Sequence, residues 1–493
     1  MPPFLSAPNR IATAALAVLL LAALVQLLAF WPGIMVWDSI RQYGQALTGV
    51  YDDWHPPAMN WLWRQLGLFG RGPAPMLVLQ ALLYWSGFAL LAFKRARDGQ
   101  PIRTAAIVAL ALMPVSLVLL GTIIKDSLMA SALLLATGLI AWRRPGDRWM
   151  AVAAALLLLG AATLRFNAMP ACLPLALLLV PERWIATRAR LAGVALVAAI
   201  PLMLALPLAN RLLAAKPSHV ELSLVIFDLG GITRYSGMDA FPPVKLPASY
   251  KLPTDTSDDA DDDDDDDAAA AAARARPVTR DPVEINRACY KPVEWDPYAW
   301  WGDAPCPIGF ENLKPVLTAP GVSATGTWAR AIATHPIAYA AHRFAHFNED
   351  IRFMTDETEL TPLSLASDPN PWNYQVPPSR LRDAIAWAAT QIPYTPLGSA
   401  ACWLALAAAV LIAGTGGNRL ATALAASSLL YGFSYLPLGV AAEVRYHLWT
   451  MIAAGLAAAL ALGSESVPRW RKFVALALVV AVAAIAGGYR LIA

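Results

Sequence analysis

The chain predicts an all-α integral membrane protein with about eleven transmembrane helices and a mixed outer region inserted before the last four. Three observations predict it. Mean hydropathy is +0.48, with 57% hydrophobic and 15% charged residues over 493 positions, a balance suited to a chain solvated largely by lipid. Apolar runs recur near residues 11–31, 76–93, 104–124, 127–142, 149–164, 168–181, 191–209, 396–413, 420–441, 446–462 and 473–489. Basic residues gather in alternate links between those runs: Arg10; Lys94, Arg95, Arg97 and Arg103; Arg143, Arg144 and Arg148; Arg183 to Arg190; Arg419; and Arg469 to Lys472.

Short loops rich in Lys and Arg mark the cytoplasmic side. The alternation therefore places the N-terminus inside and the C-terminus outside. Alanine and arginine richness suggests a bacterial chain, so the membrane is read as the bacterial cytoplasmic (inner) membrane. A formal net charge of +3 is too small to point to nucleic acid. The first run, Ile11 to Phe30, is uncharged and is followed by Trp31-Pro32-Gly33 in place of a small-residue cleavage site, so it reads as a retained helix.

The links left on the outer side are 32–75, Lys125-Asp126, Arg165-Phe166-Asn167, the long segment 210–395, and Glu443-Val444-Arg445-Tyr446-His447. Three domains follow: an N-terminal transmembrane domain over 1–209 with its first outer loop at 32–75, an extracytoplasmic region over 210–395, and C-terminal transmembrane helices over 396–493. The runs 127–142, 149–164 and 168–181 are short for a bilayer core of about 30 Å. If they cross, Lys125, Asp126 and Arg165 lie at or below the outer interface. They must then face protein or water, because lipid does not solvate them. A polar cavity open to the outer face is the expectation.

The outer region is rich in Pro, Trp and Tyr. Within it, Thr254 to Arg276 carries the acidic run Asp261 to Asp267 followed by alanines, the composition of a self-repelling tether; calcium binding is the alternative. Cys289 and Cys306 frame a short polar stretch, and a disulfide is expected on the oxidising side, contributing about 3 kcal/mol. A helical pattern over 328–351 holds Trp328, His335, Tyr339, His342 and His346 and reads as an interfacial helix. His342 and His346 have the i, i+4 spacing of a two-histidine metal face, but no glutamate stands between them to make a zincin motif. Cys172 and Cys402 lie in apolar runs and read as packing.

Asp38 is the first candidate for chemistry. It follows the first helix by a few residues, so its backbone is anchored and its carboxylate can take a proton from a hydroxyl nucleophile; a helix cap shared with Ser39 is the alternative. Asp52-Asp53-Trp54-His55-Pro56-Pro57 comes next. Its prolines stiffen the link, and His55 could receive a phosphate or, with a carboxylate, a divalent metal. No certain cofactor or metal site is expected, since three clear ligands at a recognised spacing are absent. Lys125, Asp126, Arg165, Asn167, Glu443 and Arg445 complete the set. Lys and Arg near one mouth suit a phosphate or diphosphate, which the arginine fork binds bidentately. Internal pairing of Lys125 with Asp126 and of Glu443 with Arg445 is the competing reading.

Asp38-Ser39 after the first helix, followed by Asp53-Trp54-His55-Pro56-Pro57, resembles the first outer loop of protein O-mannosyltransferases and their bacterial relatives. Those belong to the type C glycosyltransferases, multi-span enzymes that use polyprenyl-phosphate sugars. Gly121-Thr122-Ile123-Ile124-Lys125-Asp126, Leu164-Arg165-Phe166-Asn167 and Glu443-Val444-Arg445-Tyr446 are similar to outer-face motifs of bacterial members. The resemblance covers mainly residues 10–170 and a short piece near 443. It implies a transferase with Asp38 as catalytic base, Asp53 and His55 beside the acceptor or phosphate, and Lys125, Arg165 and Arg445 on the lipid phosphate. Its partners would be a polyprenyl-phosphate-linked sugar donor, membrane lipid and a cell-envelope glycan or protein acceptor. The mannosyltransferases carry an acidic pair where this chain has Asp38-Ser39, which leaves the acceptor open. A transporter or flippase of lipid-linked saccharides is the alternative. It also needs a polar cavity and phosphate contacts, but transporters commonly show internal repeats and midplane sites, and here the charges cluster at one face.

Overall fold

The computed structural model describes residues 10–244, 250–251, 278–279, 281–301, 306–355, 363–463 and 468–492. The acidic and alanine-rich insert read over 254–276 lies outside the described residues. What is described is helical, apart from an antiparallel pairing of Tyr250–Lys251 with Val278–Thr279 and isolated single bridges. Residues 210–395, expected to be mixed, are mostly helical where described, and they contain that strand pair.

Among the described residues, six helices are long and apolar enough to cross a membrane: Arg10–Phe30, Ala74–Arg97, Lys125–Trp142, Arg188–Leu212, Val444–Ala461 and Arg469–Arg490. A seventh candidate is the pair Pro101–Ala111 and Pro114–Gly121, bent by 47°. Pro114 explains that bend, because it lacks an N–H and drives the preceding residue out of helical space; Met113 is extended, with ψ 121°. The other runs among the eleven expected also fold as helices, but Arg148–Ala162, Met169–Leu179 and Ala400–Ala413 are shorter, and Arg419–Leu438 has 20 residues with Pro437 near its end. Side chains such as Leu196, Val197, Met203, Phe473 and Leu476 are exposed on the long helices, as expected of surfaces that lipid covers. These features define a helical, multi-pass membrane protein.

The chain forms two compact units, one of Met1–Ser218, Ile351–Tyr435 and Glu443–Ala493, the other of His219–Asp350 and Leu436–Ala442. The predicted domains were 1–209, 210–395 and 396–493; in these compact units residues 351–355 and 363–395 group with the N-terminal and C-terminal helices. Hydrogen bonds give the reason: Met35 N–H donates to Ser367 Oγ at 3.0 Å, Asp368 N–H to the Met35 carbonyl at 2.8 Å, and Trp37 N–H to Asp368 Oδ2 at 2.8 Å. Conversely, Leu436–Ala442 joins the second unit by backbone bonds, Ala442 to Val293 at 2.9 Å and Trp295 to Val440 at 2.8 Å.

In the first unit, Ala74–Arg97 packs on Arg10–Phe30 and on Lys125–Trp142. The second packing is close: a Cβ on Gly87 would sit 2.8 Å from the Leu134 backbone, so glycine lets the two helices approach as small residues do in membrane bundles. The basic links meet one another. Arg103 bonds the Leu462 carbonyl at 2.6 Å, Arg143 the Leu179 carbonyl at 3.0 Å, Arg471 the Leu411 carbonyl at 3.4 Å, and Arg419 pairs with Glu182.

In the second unit the helix Pro336–Ile351 buries His342, Arg343, His346 and Phe347. Its core is Glu221–Ser236, whose Asp228 is fully buried. Cys289 and Cys306 are joined in a disulfide.

Candidate active site

Backbone pairing near the end of the first helix builds the site. Ile34 N–H donates to the Gly121 carbonyl at 2.9 Å and Ile123 N–H to the Ile34 carbonyl at 2.9 Å. This short ladder sets residues 33–35 beside 121–123, so the helix Trp37–Thr48 and the helix Lys125–Trp142 start next to each other. Ser39 takes the capping duty, its Oγ accepting from Val36 N–H at 3.0 Å. Asp38 is therefore free to point elsewhere, and the shared-cap reading of Asp38 falls away.

Asp38 meets three partners. Lys125 Nζ lies 3.0 Å and Arg445 Nη1 3.1 Å from its Oδ2, and His55 Nε2 lies 3.6 Å from its Oδ1. Lys125 Nζ is also 3.2 Å from His55 Nδ1. An ammonium can only donate, so Nδ1 accepts and the ring proton sits on Nε2, facing Asp38. All four side chains are mostly buried, with Asp38 the most open at 22%.

Arg445 is held from behind by Glu443, through Nη2 at 2.7 Å to Oε1 and through Nε. Asp126 pairs with Arg165, and both are buried. The expected competition therefore resolves differently at its two places: Glu443 does pair with Arg445, whereas Lys125 turns to Asp38 and leaves Asp126 to Arg165. Arg165 Nε reaches Asn167 Oδ1 at 3.4 Å, and Asn167 donates to Ser434 at 3.0 Å.

Asp53 is not brought to this group. Its Oδ1 accepts from Ser218 N–H at 2.7 Å and Ser218 Oγ at 2.5 Å, and its N–H donates to the Lys216 carbonyl at 3.1 Å. It clips residues 216–218 to the first loop, while Asp52 pairs with Arg41 at 2.7 Å. The i, i+4 histidines do not form a metal face either. His342 Nε2 faces Asp228 at 3.0 Å and its Nδ1 faces the Tyr290 hydroxyl at 2.8 Å, while His346 Nδ1 faces the Pro292 carbonyl at 2.7 Å. Among the described residues no group of three or more His, Cys, Asp or Glu side chains is placed to hold a metal ion.

The sequence reading passes over Tyr431 and Tyr435 and gives Tyr446 no role. Arg165 lies 4.3 Å from the Tyr446 ring centre and 5.6 Å from that of Tyr435. The i, i+4 spacing of Tyr431 and Tyr435, whose hydroxyls are 2.8 Å apart, is the signal that marks this aromatic wall.

Electrostatics follow from the packing. Burial works to raise the Asp38 carboxyl, but Lys125, Arg445 and His55 outweigh it and hold it well below the usual carboxylate range. Burial, with the Lys125 charge, pushes His55 down to about 3 against the pull of Asp38. His346 is also pushed down to about 3, by burial and then by Arg343. For a histidine lowered in this way the unfolded chain takes up a proton that the folded chain refuses. Stability therefore falls as pH drops from about 6.5 towards 3, by about 1.4 kcal/mol per pH unit for each such group. Melting temperature is expected to decline over that window in detergent-solubilised protein, and less steeply in His55→Gln. Equal slopes in the two proteins would show that His55 does not carry the effect.

No protein-family model, curated protein or solved structure matches this chain. The chemistry is therefore read from the geometry: one carboxylate able to accept a proton, surrounded by cations able to receive an anion.

Proposed function

We propose that this chain is a membrane glycosyltransferase of the type C class, moving a sugar from a polyprenyl-phosphate donor to an acceptor hydroxyl on the outer face of the bacterial inner membrane. The observation that carries the reading is the meeting of Asp38 with Lys125, Arg445 and His55. These residues are far apart in sequence, and all belong to links assigned to one side by loop charge.

With both cations on it, Asp38 is a poor base, since a base works best when its pKa lies near the working pH. A lipid phosphate entering the site is a strong ligand for Lys125 and for the Arg445 fork. Drawing those cations away returns Asp38 towards ordinary carboxylate basicity at the moment the donor is in place. The acceptor oxygen then attacks the anomeric carbon, its proton passes to Asp38, and the bond from that carbon to the phosphate oxygen breaks. The electron pair leaves with the lipid phosphate, and Lys125 and Arg445 stabilise the charge that develops there. One displacement of this kind inverts the anomeric centre.

The proposed topology is about eleven crossings with the N-terminus inside and the C-terminus outside. Two observations support it. The basic links bond to one another, while the links assigned to the opposite side share the Asp38 and Arg165 groups. The Cys289–Cys306 disulfide suits an oxidising outer compartment. A helix such as Ala400–Ala413, with 14 residues, rises only about 21 Å, so short crossings leave polar helix tips below the interface and a cavity over them.

The test uses the purified chain in lipid nanodiscs with a polyprenyl-phosphate donor carrying a labelled sugar. Free polyprenyl phosphate is expected to accumulate as label moves to a hydroxyl acceptor. Donor that stays intact while changing leaflet would replace this reading with that of a flippase.

A further inference from the structure

Tyr446 stands between the two arginines of the site. Its ring carries the Arg165 guanidinium 4.3 Å from the ring centre, and the Arg445 guanidinium lies 5.4 Å from the same centre. Its hydroxyl donates to Glu443 Oε1 at 3.1 Å, the oxygen that also receives Arg445 Nη2 at 2.7 Å. Glu443 thus occupies Nε and Nη2 of Arg445 and leaves Nη1 to face Asp38.

The ring is itself fixed. Tyr435 lies parallel to it within 8°, with centres 5.7 Å apart, and the Tyr435 hydroxyl donates to the Tyr446 carbonyl at 3.3 Å. Tyr435 is held in turn by the Tyr431 hydroxyl at 2.8 Å. A guanidinium held near an aromatic face is attracted to it and loses freedom to swing. One with two of its nitrogens held by a single carboxylate presents the remaining edge in a single direction.

We propose that Tyr446 is a positioning residue that sets both arginines for one phosphate-bearing lipid, Arg165 through the ring face and Arg445 through the hydroxyl and Glu443. This rests on the reading of the site as a polyprenyl-phosphate site and assigns the aim of its cations to one side chain. The two branches are separable. Removing only the hydroxyl loosens Glu443 and hence Arg445; removing the ring also frees Arg165.

The experiment measures binding of farnesyl phosphate to the full chain in nanodiscs, for the wild type, Tyr446→Phe, Tyr446→Leu and Glu443→Gln, and for the double variants Tyr446→Phe/Glu443→Gln and Tyr446→Leu/Arg165→Lys. Tyr446→Phe is expected to weaken binding by about fivefold, the effect of one hydrogen bond to a charged partner acting at one remove, and to add nothing in the Glu443→Gln background. Tyr446→Leu is expected to weaken it by about thirtyfold as the ring contact is also lost, and to add less than its full effect in the Arg165→Lys background. Melting temperature separates positioning from folding: Tyr446→Phe should melt with the wild type.

Wild-type binding with an unchanged Tyr446→Phe, or losses in Tyr446→Phe and Glu443→Gln that simply multiply, would overturn the positioning role while leaving the phosphate site standing. Absence of wild-type binding would overturn the site reading and this role together. If Tyr446→Leu does not fold, the Tyr446→Phe and Glu443→Gln cycle decides the matter alone.

Discussion

Asp38→Asn is expected to lose sugar transfer by about 10³-fold, the usual loss on removing a general base, and at the same time to bind polyprenyl phosphate more tightly. Both effects follow from the same contacts. The amide keeps the size of the side chain but cannot accept the acceptor's proton. It also drops the charge that holds Lys125 at 3.0 Å and Arg445 at 3.1 Å. An incoming phosphate then need not displace a carboxylate from those cations, and a gain in affinity of about tenfold is expected. A transfer assay and a binding titration on one preparation check the pair of signs. Transfer at the wild-type rate would show that Asp38 is not the base. Weaker binding would show that Lys125 and Arg445 do not receive the phosphate, since the loss of a competing carboxylate cannot weaken a site those cations form.

Asp228→Ala is expected to be the most destabilising single change in the second unit, by about 3–5 kcal/mol. Asp228 is fully buried. Its Oδ1 is ion-paired with Arg343 Nη2 at 2.5 Å and lies 3.0 Å from His342 Nε2, and its Oδ2 accepts from Trp328 Nε1 at 2.7 Å. Burial works to raise its carboxyl, yet Arg343 and His342 together bring it below the usual range. Truncation leaves the buried Arg343 guanidinium without its counter-charge, keeping its bond to the Gly439 carbonyl, and removes the acceptor of the Trp328 indole N–H. Thermal unfolding is expected to shift down by about 10 °C. The double change Asp228→Leu with Arg343→Met should recover much of that loss, because removing both charges removes the uncompensated one. A single variant that melts with the wild type would mean the network contributes nothing net.

Much of the helical pattern was legible in the residues. Apolar length and the absence of charge over Ile11 to Phe30 mark the first helix without reference to anything distant, and Pro114 marks the bend after Ala111. Asp38, His55, Lys125 and Arg445, which meet in the structure, all stood among the nine candidates, since each lies where an apolar run ends or in the link that follows. The partners were not legible. Lys125 has a carboxylate beside it in Asp126 and takes one 87 residues away in Asp38. The reason is rotational: successive residues of a helix point about 100° apart, so Asp126 faces the interior and Arg165 while Lys125 faces the loop. Asp53 reads as equal to Asp38 in type and setting, yet Ser218 claims it, and nothing local announces that residues 216–218 return there.

Residues read one segment at a time were enough to show that this protein is built of apolar helices and roughly where each begins, and their charges suggested which connecting links share a side. Those are properties of single segments, set by transfer free energy and by loop charge. The three-dimensional packing alone shows which carboxylate answers which cation, that residues 363–395 group with the helices of the first unit, and that two arginines lie against the Tyr446 ring. Each of those depends on where helices cross and how they are turned, and chemically equal partners are distinguished only by the distance that crossing leaves between them.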